Sequence, residues 1–457
     1  MQSFIFRTLR ELAVARRWPG WAGNGQEMAG GVKFTFAVTA LAMLVPHVWH
    51  FLHANVSNRC TGGLFLLGLA ARCHGVGRKG GGGFTGFELG YAVGLSVLLV
   101  LLVVKWPELS ITRTLSQGDI SSLLQAMDTY SWHAGHTLHA CGGLARFLAA
   151  SAENTATVAA SGGITRLLKA MGTHRGSSEI QTEACLALCV LADVDYTNKA
   201  RIIEGRGIIR IVDAMSDNEH DKRVQEQACM LLTSLAIGDD DNRAEIVRAG
   251  AIPRILHAMR SHPLHGGVQA QASAALRSLA ANDGYKTQIA ESGAIPLIVK
   301  AIDMHVDFAP LIEQACWAVR NLAGIDTNRA KLAEAGVIER ITGDVMDVHR
   351  QDAAVIAQAA GALRNLALNS DDNKKRIVAA GGIARLVQAL DDHAHSSAVQ
   401  DNASWALMVL AWSQRSLRHQ MLHAGVVKTV QKILADETAV EETKERVRTL
   451  LSKLEAV

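Results

Sequence analysis

The sequence predicts an all-α protein: a right-handed solenoid of about seven full three-helix units with a C-terminal cap, preceded by a hydrophobic, glycine-rich N-terminal segment. Three observations lead there. A restart motif returns every 43–45 residues: GDISSLLQAM at Gly118, GGITRLLKAM at Gly162, RGIIRIVDAM at Arg206, GAIPRILHAM at Gly250, GAIPLIVKAI at Gly293, GVIERITGDV at Gly336, GGIARLVQAL at Gly381 and GVVKTVQKIL at Gly425. Inside the units a small residue preceded by alanine keeps a period of 43 or 44, at Cys141, Cys185, Cys229, Ser273, Cys316, Ala360 and Ser404. Only 5% of residues are aromatic while 49% are hydrophobic, a balance that suits close helix packing better than a strand-rich sandwich.

From the N-terminus, residues 1–33 read as a basic tail. Residues 34–54 lack Asp, Glu, Lys and Arg and form a possible hydrophobic span, although they contain Pro46, His47, His50 and His53. A glycine-rich linker covers 55–83. Leu89–Val104 then runs without a charge and ends on Lys105, Trp106 and Pro107. At about 1.5 Å per residue this run is shorter than a ~30 Å hydrocarbon core, so the expected membrane helix extends back over 84–106 and takes in Glu88, with Lys105 and Trp106 as interfacial anchors. The opening MQSFIFRTLRELAVARRW, with four arginines, also fits a mitochondrial transit peptide or the start of a secretory signal. The distribution of Lys and Arg around the two spans leans toward a cytoplasmic repeat domain.

Residues 116–457 carry the repeats. A short first helix opens after Asn or Asp, as in DDNRAEIVRAG, where Asn242 is the expected N-cap and Gly250 the left-handed terminator. The second helix tolerates Pro253 and Pro296 because a missing N–H costs least in the first turn. A variable polar loop leads to the third helix. With the small anchor as position zero, positions −5, −1, +2, +3, +6 and +7 fall on one arc filled by Val, Ile, Leu and Ala. No single unit can cover that face, so neighbouring units must stack.

The glycine restart, the Ala-small anchor and the terminal Asn-Leu-Ala or Ser-Leu-Ala of the third helix together resemble the armadillo-repeat proteins, which include importin-α and β-catenin. The resemblance spans residues 116–457. It implies a groove along the third helices that binds extended or helical segments of partner proteins. Positions +1, +4 and +5 lie opposite the core arc and are the groove candidates. Row +1 holds Gly142, Leu186, Met230, Ala274, Trp317, Gly361 and Trp405; row +5 includes Arg146, Val190, Ser234, Ser278, Asn321, Asn365 and Val409; row +4 contributes Arg277, Arg320 and Arg364 in consecutive units. Trp317 and Asn321 match the Trp-x-x-x-Asn spacing of importin-α, in which the amide pairs with a bound peptide's backbone. Asn365 keeps the amide without the indole, and Trp405 the indole without the amide. The arginine row favours an acidic or phosphorylated partner.

Function classes narrow further on charge and motif. Residues 1–110 hold 10 Lys+Arg against 4 Asp+Glu, leaving the rest slightly acidic at 36 against 39, so no nucleic-acid partner is expected. The seven cysteines show no disulfide spacing, which fits a reducing compartment. GGGFTG from Gly81 reads as linker, since no strand precedes it, and no phosphate loop, His-Glu-x-x-His or Gly-x-Ser-x-Gly occurs. His133, His136 and His139 beside Cys141 could suit a metal by spacing, but the repeat register assigns His136 and Cys141 to the core. The expectation is a protein-binding scaffold without catalytic residues, metal or cofactor. A nuclear-transport-type adaptor is second and an enzyme with an unrecognised site third.

Overall fold

The computed structural model describes residues 120–412 and 415–456. The expected tail, spans, linker and membrane helix of residues 1–106 lie outside the described residues. Among the described residues there is no strand, and no helix is long and apolar enough to cross a membrane.

The series starts with α1 (Ile120–Thr129) and α2 (Ala134–Ala150). Seven complete three-helix units follow. They are α3 (Ala152–Ala160), α4 (Gly163–Thr173) and α5 (Ser178–Val194); α6 (Tyr196–Glu204), α7 (Gly207–Asp217) and α8 (Lys222–Ala236); α9 (Asp240–Arg248), α10 (Ala251–Ser261) and α11 (Gly266–Leu279); and α12 (Asp283–Glu291), α13 (Ala294–Met304) and α14 (Ala309–Leu322). Next come α15 (Asp326–Glu334), α16 (Val337–Glu339, continued by the π-helical turn Arg340–Val345 and by Met346–Val348) and α17 (Ala353–Ala367). The last two units are α18 (Asp371–Ala379), α19 (Gly382–Asp392) and α20 (Ser397–Ala411), then α21 (Arg415–His423), α22 (Val426–Ala435) and α23 (Glu441–Glu455). The segment expected to be a C-terminal cap is thus a full unit. Each third helix, from α2 to α23, packs along the third helix of the next unit.

The expected core arc is observed. In α5, Ile180, Ala184, Ala187, Leu188, Leu191 and Ala192 are buried, and in α8 so are Val224, Ala228, Leu231, Leu232, Leu235 and Ala236. All seven small anchors are completely buried, and His136, expected at a core position, is buried as well.

The turn between first and second helices needs a left-handed residue. Gly250 sits at φ 81°, with equivalents in every complete unit; at Arg206 the same turn is made by a non-glycine residue at φ 62°. The first helices are capped one turn earlier than expected. Asp239, not Asn242, accepts hydrogen bonds from the first-turn N–H groups of α9, while the Asn242 amide donates to Leu235 O at the end of the preceding third helix. Asn198 and Asn373 repeat that bond to Leu191 O and Leu366 O. Asp239 is in the extended backbone just before the helix, where its carboxylate faces the free first-turn N–H groups, whereas Asn242 is already inside the first turn and its amide donates back to a C-terminal carbonyl.

The loop between second and third helices varies in sequence but is anchored at one point. His174 Nε2 donates to Ser131 O, Asn218 Nδ2 to Arg175 O, His262 Nε2 to Glu219 O, His305 Nε2 to Pro263 O, His349 Nε2 to Val306 O and His393 Nε2 to Arg350 O, all at 2.6–3.0 Å. Each donor is the C-cap of its second helix and each acceptor belongs to the unit before. Gln181, Gln225, Gln269 and Gln400 tie the third helix to the same corner through paired bonds to second-helix and loop carbonyls. In α16, one residue more separates Gly336 from His349 than Gly293 from His305, and the π turn absorbs it, so that His349 stays in register.

Two outcomes follow. Replacing Arg206 by Gly relieves the left-handed strain and raises unfolding free energy by about 1 kcal/mol, whereas Gly250→Ala lowers it by about 1 kcal/mol, both read by urea denaturation. His305→Ala removes the inter-unit bond to Pro263 O at a cost of about 1 kcal/mol, and His305→Asn, which places there the side chain that makes the equivalent bond at Asn218, recovers most of it in the same assay.

Candidate functional site

The third helices bring the predicted groove residues into an interlocked row. The Arg277 guanidinium carbon, from α11, lies 4.3 Å from the ring centre of Trp317 on α14, and that of Arg364, from α17, lies 4.4 Å from the ring centre of Trp405 on α20. Arg446 of α23 stacks on Trp405 too, at 4.6 Å. Row +4 of one helix therefore rests on row +1 of the next. Each arginine also reaches a side-chain amide oxygen of the following helix: Arg277 Nη1 donates to Gln314 at 2.8 Å, Arg320 Nη1 to Gln358 at 3.1 Å and Arg364 Nη1 to Asn402 at 3.3 Å. The amide row, and Arg446 with its ion pair to Asp401, were not anticipated. The repeated polar residue two before the anchor, at Gln314, Gln358 and Asn402, was the available signal.

The row is less open than helical periodicity implies. Arg277, Trp317, Arg320, Asn321, Asn365 and Trp405 are half-buried, and Arg364 is only 8% exposed. Row +5 is turned toward the preceding helix. Asn321 Nδ2 donates to Arg277 O at 3.0 Å and Asn365 Nδ2 to Arg320 O at 2.7 Å, while Ser234, Ser278 and Val409 are buried. One N–H of each asparagine thus caps a neighbouring helix end instead of facing the groove. The Asn365 carbonyl accepts from Arg364 Nε at 3.0 Å.

Burial of these cations is not matched by counter-charge. Among the described residues no carboxylate lies within ion-pair distance of Arg277, Arg320 or Arg364; the ion pair at this end joins Arg446 to Asp401 and Glu442. Loss of hydration lowers the pKa of Arg277, opposed by Glu313, and of Arg320, opposed by Asp401. Arg364 is pushed down to about 10, by burial first and then by its like-charged neighbours Arg320 and Arg446. All three remain cationic at neutral pH, held in a setting that disfavours charge.

The opposite end of the face differs. Leu186, Val190 and Met230 on α5 and α8 are half-buried apolar residues, and Glu183 pairs with Arg223 at 3.7 Å. Glu226 lies 3.9 Å from His265 Nδ1, but that nitrogen accepts the Val268 N–H as a helix cap. Among the described residues of the third helices, the half-buried or buried arginines without a carboxylate at ion-pair distance are those of α11, α14 and α17.

Comparison with known proteins places this geometry among helical-repeat proteins. The family model of the LRRK2 ARM repeat matches residues 91–384, more than half of the chain, and that of the Armadillo/beta-catenin-like repeat matches residues 370–410. The first match begins inside the apolar stretch 84–106. Among solved structures, an engineered protein is similar at 24% identity with a TM-score of 0.49, covering 55% of this chain and 99% of its own. Computationally designed armadillo repeat proteins for modular peptide recognition are similar at 24% identity and a TM-score of 0.47, covering 54% of this chain and 99% of theirs. A designed armadillo repeat protein in complex with peptide (KR)4 is similar at 23% identity and a TM-score of 0.46, covering 54% and 99%. No curated protein matches.

The imbalance of the row has a measurable signature in stability. Arg364→Met, which replaces a desolvated cation by an apolar side chain, leaves the urea midpoint unchanged or raises it. Trp405→Leu, which strips the ring from both Arg364 and Arg446, lowers stability by about 1–3 kcal/mol.

Proposed function

The chain belongs to the LRRK2 ARM repeat family, and from that premise we propose that it is a non-enzymatic scaffold that holds an extended, acidic segment of a partner protein along its third helices. The observation that carries this reading is the row of desolvated guanidiniums at Arg277, Arg320 and Arg364, without a carboxylate in ion-pair distance among the described residues. A cation that has lost water and gained no anion is stabilised by any ligand that brings one, and hydrogen bonds to charged groups are worth about 1.5–3 kcal/mol each.

Spacing constrains the ligand. Packed helices lie about 8–10 Å apart and an extended chain advances about 3.3 Å per residue, so an acidic side chain about every third residue matches successive arginines. Trp317 and Trp405 then offer apolar walls between the charges. A transport adaptor reading a basic signal fits less well, because the arginine row repels such a segment and the Asn321 amide already donates to Arg277 O. Location belongs to the same proposal: a cytoplasmic repeat domain, tethered to a membrane through residues 84–106.

The test is fluorescence anisotropy with two labelled dodecapeptides carrying Glu or Lys at every third position. The Glu peptide binds the full chain and the Lys peptide does not. Arg320→Glu combined with Arg364→Glu weakens the Glu peptide by about 100-fold or more, equivalent to the loss of two charge-assisted contacts. Equal binding of both peptides, or indifference to the double reversal, sinks the proposal.

A further inference from the structure

The bond that anchors each earlier corner is not made at the last one. The six C-cap donors from His174 to His393 each reach a carbonyl of the unit before. At α22 the C-cap is Asp436, an acceptor only. Ala394 O stands where Arg350 O stands one unit earlier, and among the described residues it accepts no hydrogen bond. An acid is also the wrong sign for a helix C-terminus, where the last carbonyls favour a cation. Hydrogen bonds from the Thr438 hydroxyl and N–H hold the Asp436 carboxyl below the usual carboxylate range, so it is ionised at neutral pH. Both bonds go to Oδ1, at 2.7 and 2.8 Å, and leave Oδ2 without a partner among the described residues.

A cavity of about 150 Å³ occupies this corner, between the ends of α19 and α22 and the starts of α20 and α23. Ala394 and Asp436 line it, and so does Gln400, only 5% exposed. The Gln400 Nε2 donates to Leu390 O and His393 O, but its Oε1 has no partner. Gln181 Oε1 is also unpartnered, yet there Asn218 of the next unit supplies the corner with a donor. Of the charged groups around the cavity, Lys432 pairs with Asp391 at 2.8 Å. His395 and Lys444 act on Asp436 from beyond ion-pair distance. Ala394 O, Asp436 Oδ2 and Gln400 Oε1 are thus three acceptors, from three segments, left without donors at one cavity.

We propose that this corner is a binding site for an arginine side chain of a partner protein. The guanidinium takes the part played by a C-cap histidine in the earlier units, donating to Ala394 O and Asp436, and its five N–H groups leave donors for Gln400 Oε1. Size fits a side-chain end. A cavity of 150 Å³ holds a benzene-sized group, below the roughly 300 Å³ at which pockets for whole small molecules begin. Leu390, Ile433, Ala439 and Val440 give it apolar walls, which suit the planar, weakly hydrated guanidinium and its methylene stem better than a compact ammonium. A divalent metal fits less well, since no three His, Cys, Asp or Glu side chains gather to hold one among the described residues. The corner uses none of rows +1, +4 and +5, so it stands or falls independently of the acidic-segment reading.

The experiment titrates the full chain by saturation-transfer NMR with N-acetyl-arginine methylamide, its lysine analogue, and its citrulline analogue, which keeps the planar shape without the charge. The arginine probe binds at about millimolar concentration, about tenfold or more tighter than either analogue. Asp436→Asn, which keeps an acceptor for Thr438, weakens it by about tenfold. Asp436→His, which restores the donor of the earlier units, abolishes it, while circular dichroism stays helical in both variants. Glu437→Gln, which changes an exposed neighbouring acid, leaves binding as it was. Equal binding of the arginine and citrulline probes, no binding of any probe, or indifference to Asp436→His overturns the inference. A preference for the lysine probe, or Asp436-dependent displacement by calcium at equal ionic strength, assigns the corner to another cation and overturns it too. Tighter binding of free L-arginine than of the blocked form assigns it to a small molecule and overturns the partner. None of these outcomes bears on Arg320 and Arg364.

Discussion

Close approach between successive third helices is the constraint on which the rest of the molecule depends. It is set at one position per unit, where Cys, Ser or Ala is completely buried from Cys141 to Ser404. A larger side chain there would hold two helices apart along their whole contact, and overpacking of that kind typically costs about 1–3 kcal/mol. The four anchor cysteines act as small apolar residues: burial pushes the thiols of Cys141, Cys185, Cys229 and Cys316 up to about 12, far from the thiolate that redox or metal chemistry needs. What these positions contribute is size. Other features adapt around the fixed spacing, including the six C-cap donors that reach back to the previous unit and the π turn that absorbs the extra residue in α16.

The same spacing produces the charged row. When helices approach this closely, a long side chain at +4 has nowhere to go but across the neighbouring helix, so Arg277 and Arg364 lie on indoles and Arg320 on a glycine. Such stacking hides the cations from water without neutralising them. Burying charge without a counter-charge is a cost that apolar residues of similar volume would avoid. The cost falls between α11 and α23; at α5 and α8 row +4 holds Cys189 and Thr233, with no cation to bury. A stability argument alone does not distinguish one end of a repeat array from the other, whereas a binding argument does.

Much of this was legible in the sequence because it is periodic. The anchors, the core arc and the left-handed glycines each recur with the repeat, and a residue such as Leu188 needs only helical spacing to be assigned inside. What was not legible depends on partners across the gap between helices. Asn242 looks like an N-cap until Asp239 is seen to hold the N–H groups and Leu235 O to claim the amide. The His262, His305, His349 and His393 series was visible as a 43–44 residue recurrence, with His174 two repeats earlier and Asn218 between, but it falls in a loop where varied neighbours conceal it. The residues of rows +1, +4 and +5 do meet along the third helices, yet a helical wheel treats +4 and +5 as outward-facing. It contains no neighbouring helix, so it cannot show that Asn321 and Asn365 turn sideways to cap one or that Arg364 is covered by one.

That sideways turn changes how a partner can be held. In the importin-type arrangement that the Trp317 and Asn321 spacing resembles, the asparagine amide pairs with the ligand backbone, so recognition begins with the main chain and is indifferent to sequence. Here one amide N–H of Asn321 and of Asn365 is committed to the carbonyl of the preceding helix, and the Asn365 oxygen is taken by Arg364. Main-chain pairing is therefore weakened at the two places best suited to it. The groups left with unmet interactions are the guanidiniums, which recognise side-chain charge. On the proposed reading, arginines at a fixed helical interval select a ligand by the distance between its acidic groups and leave the residues between those groups free to vary.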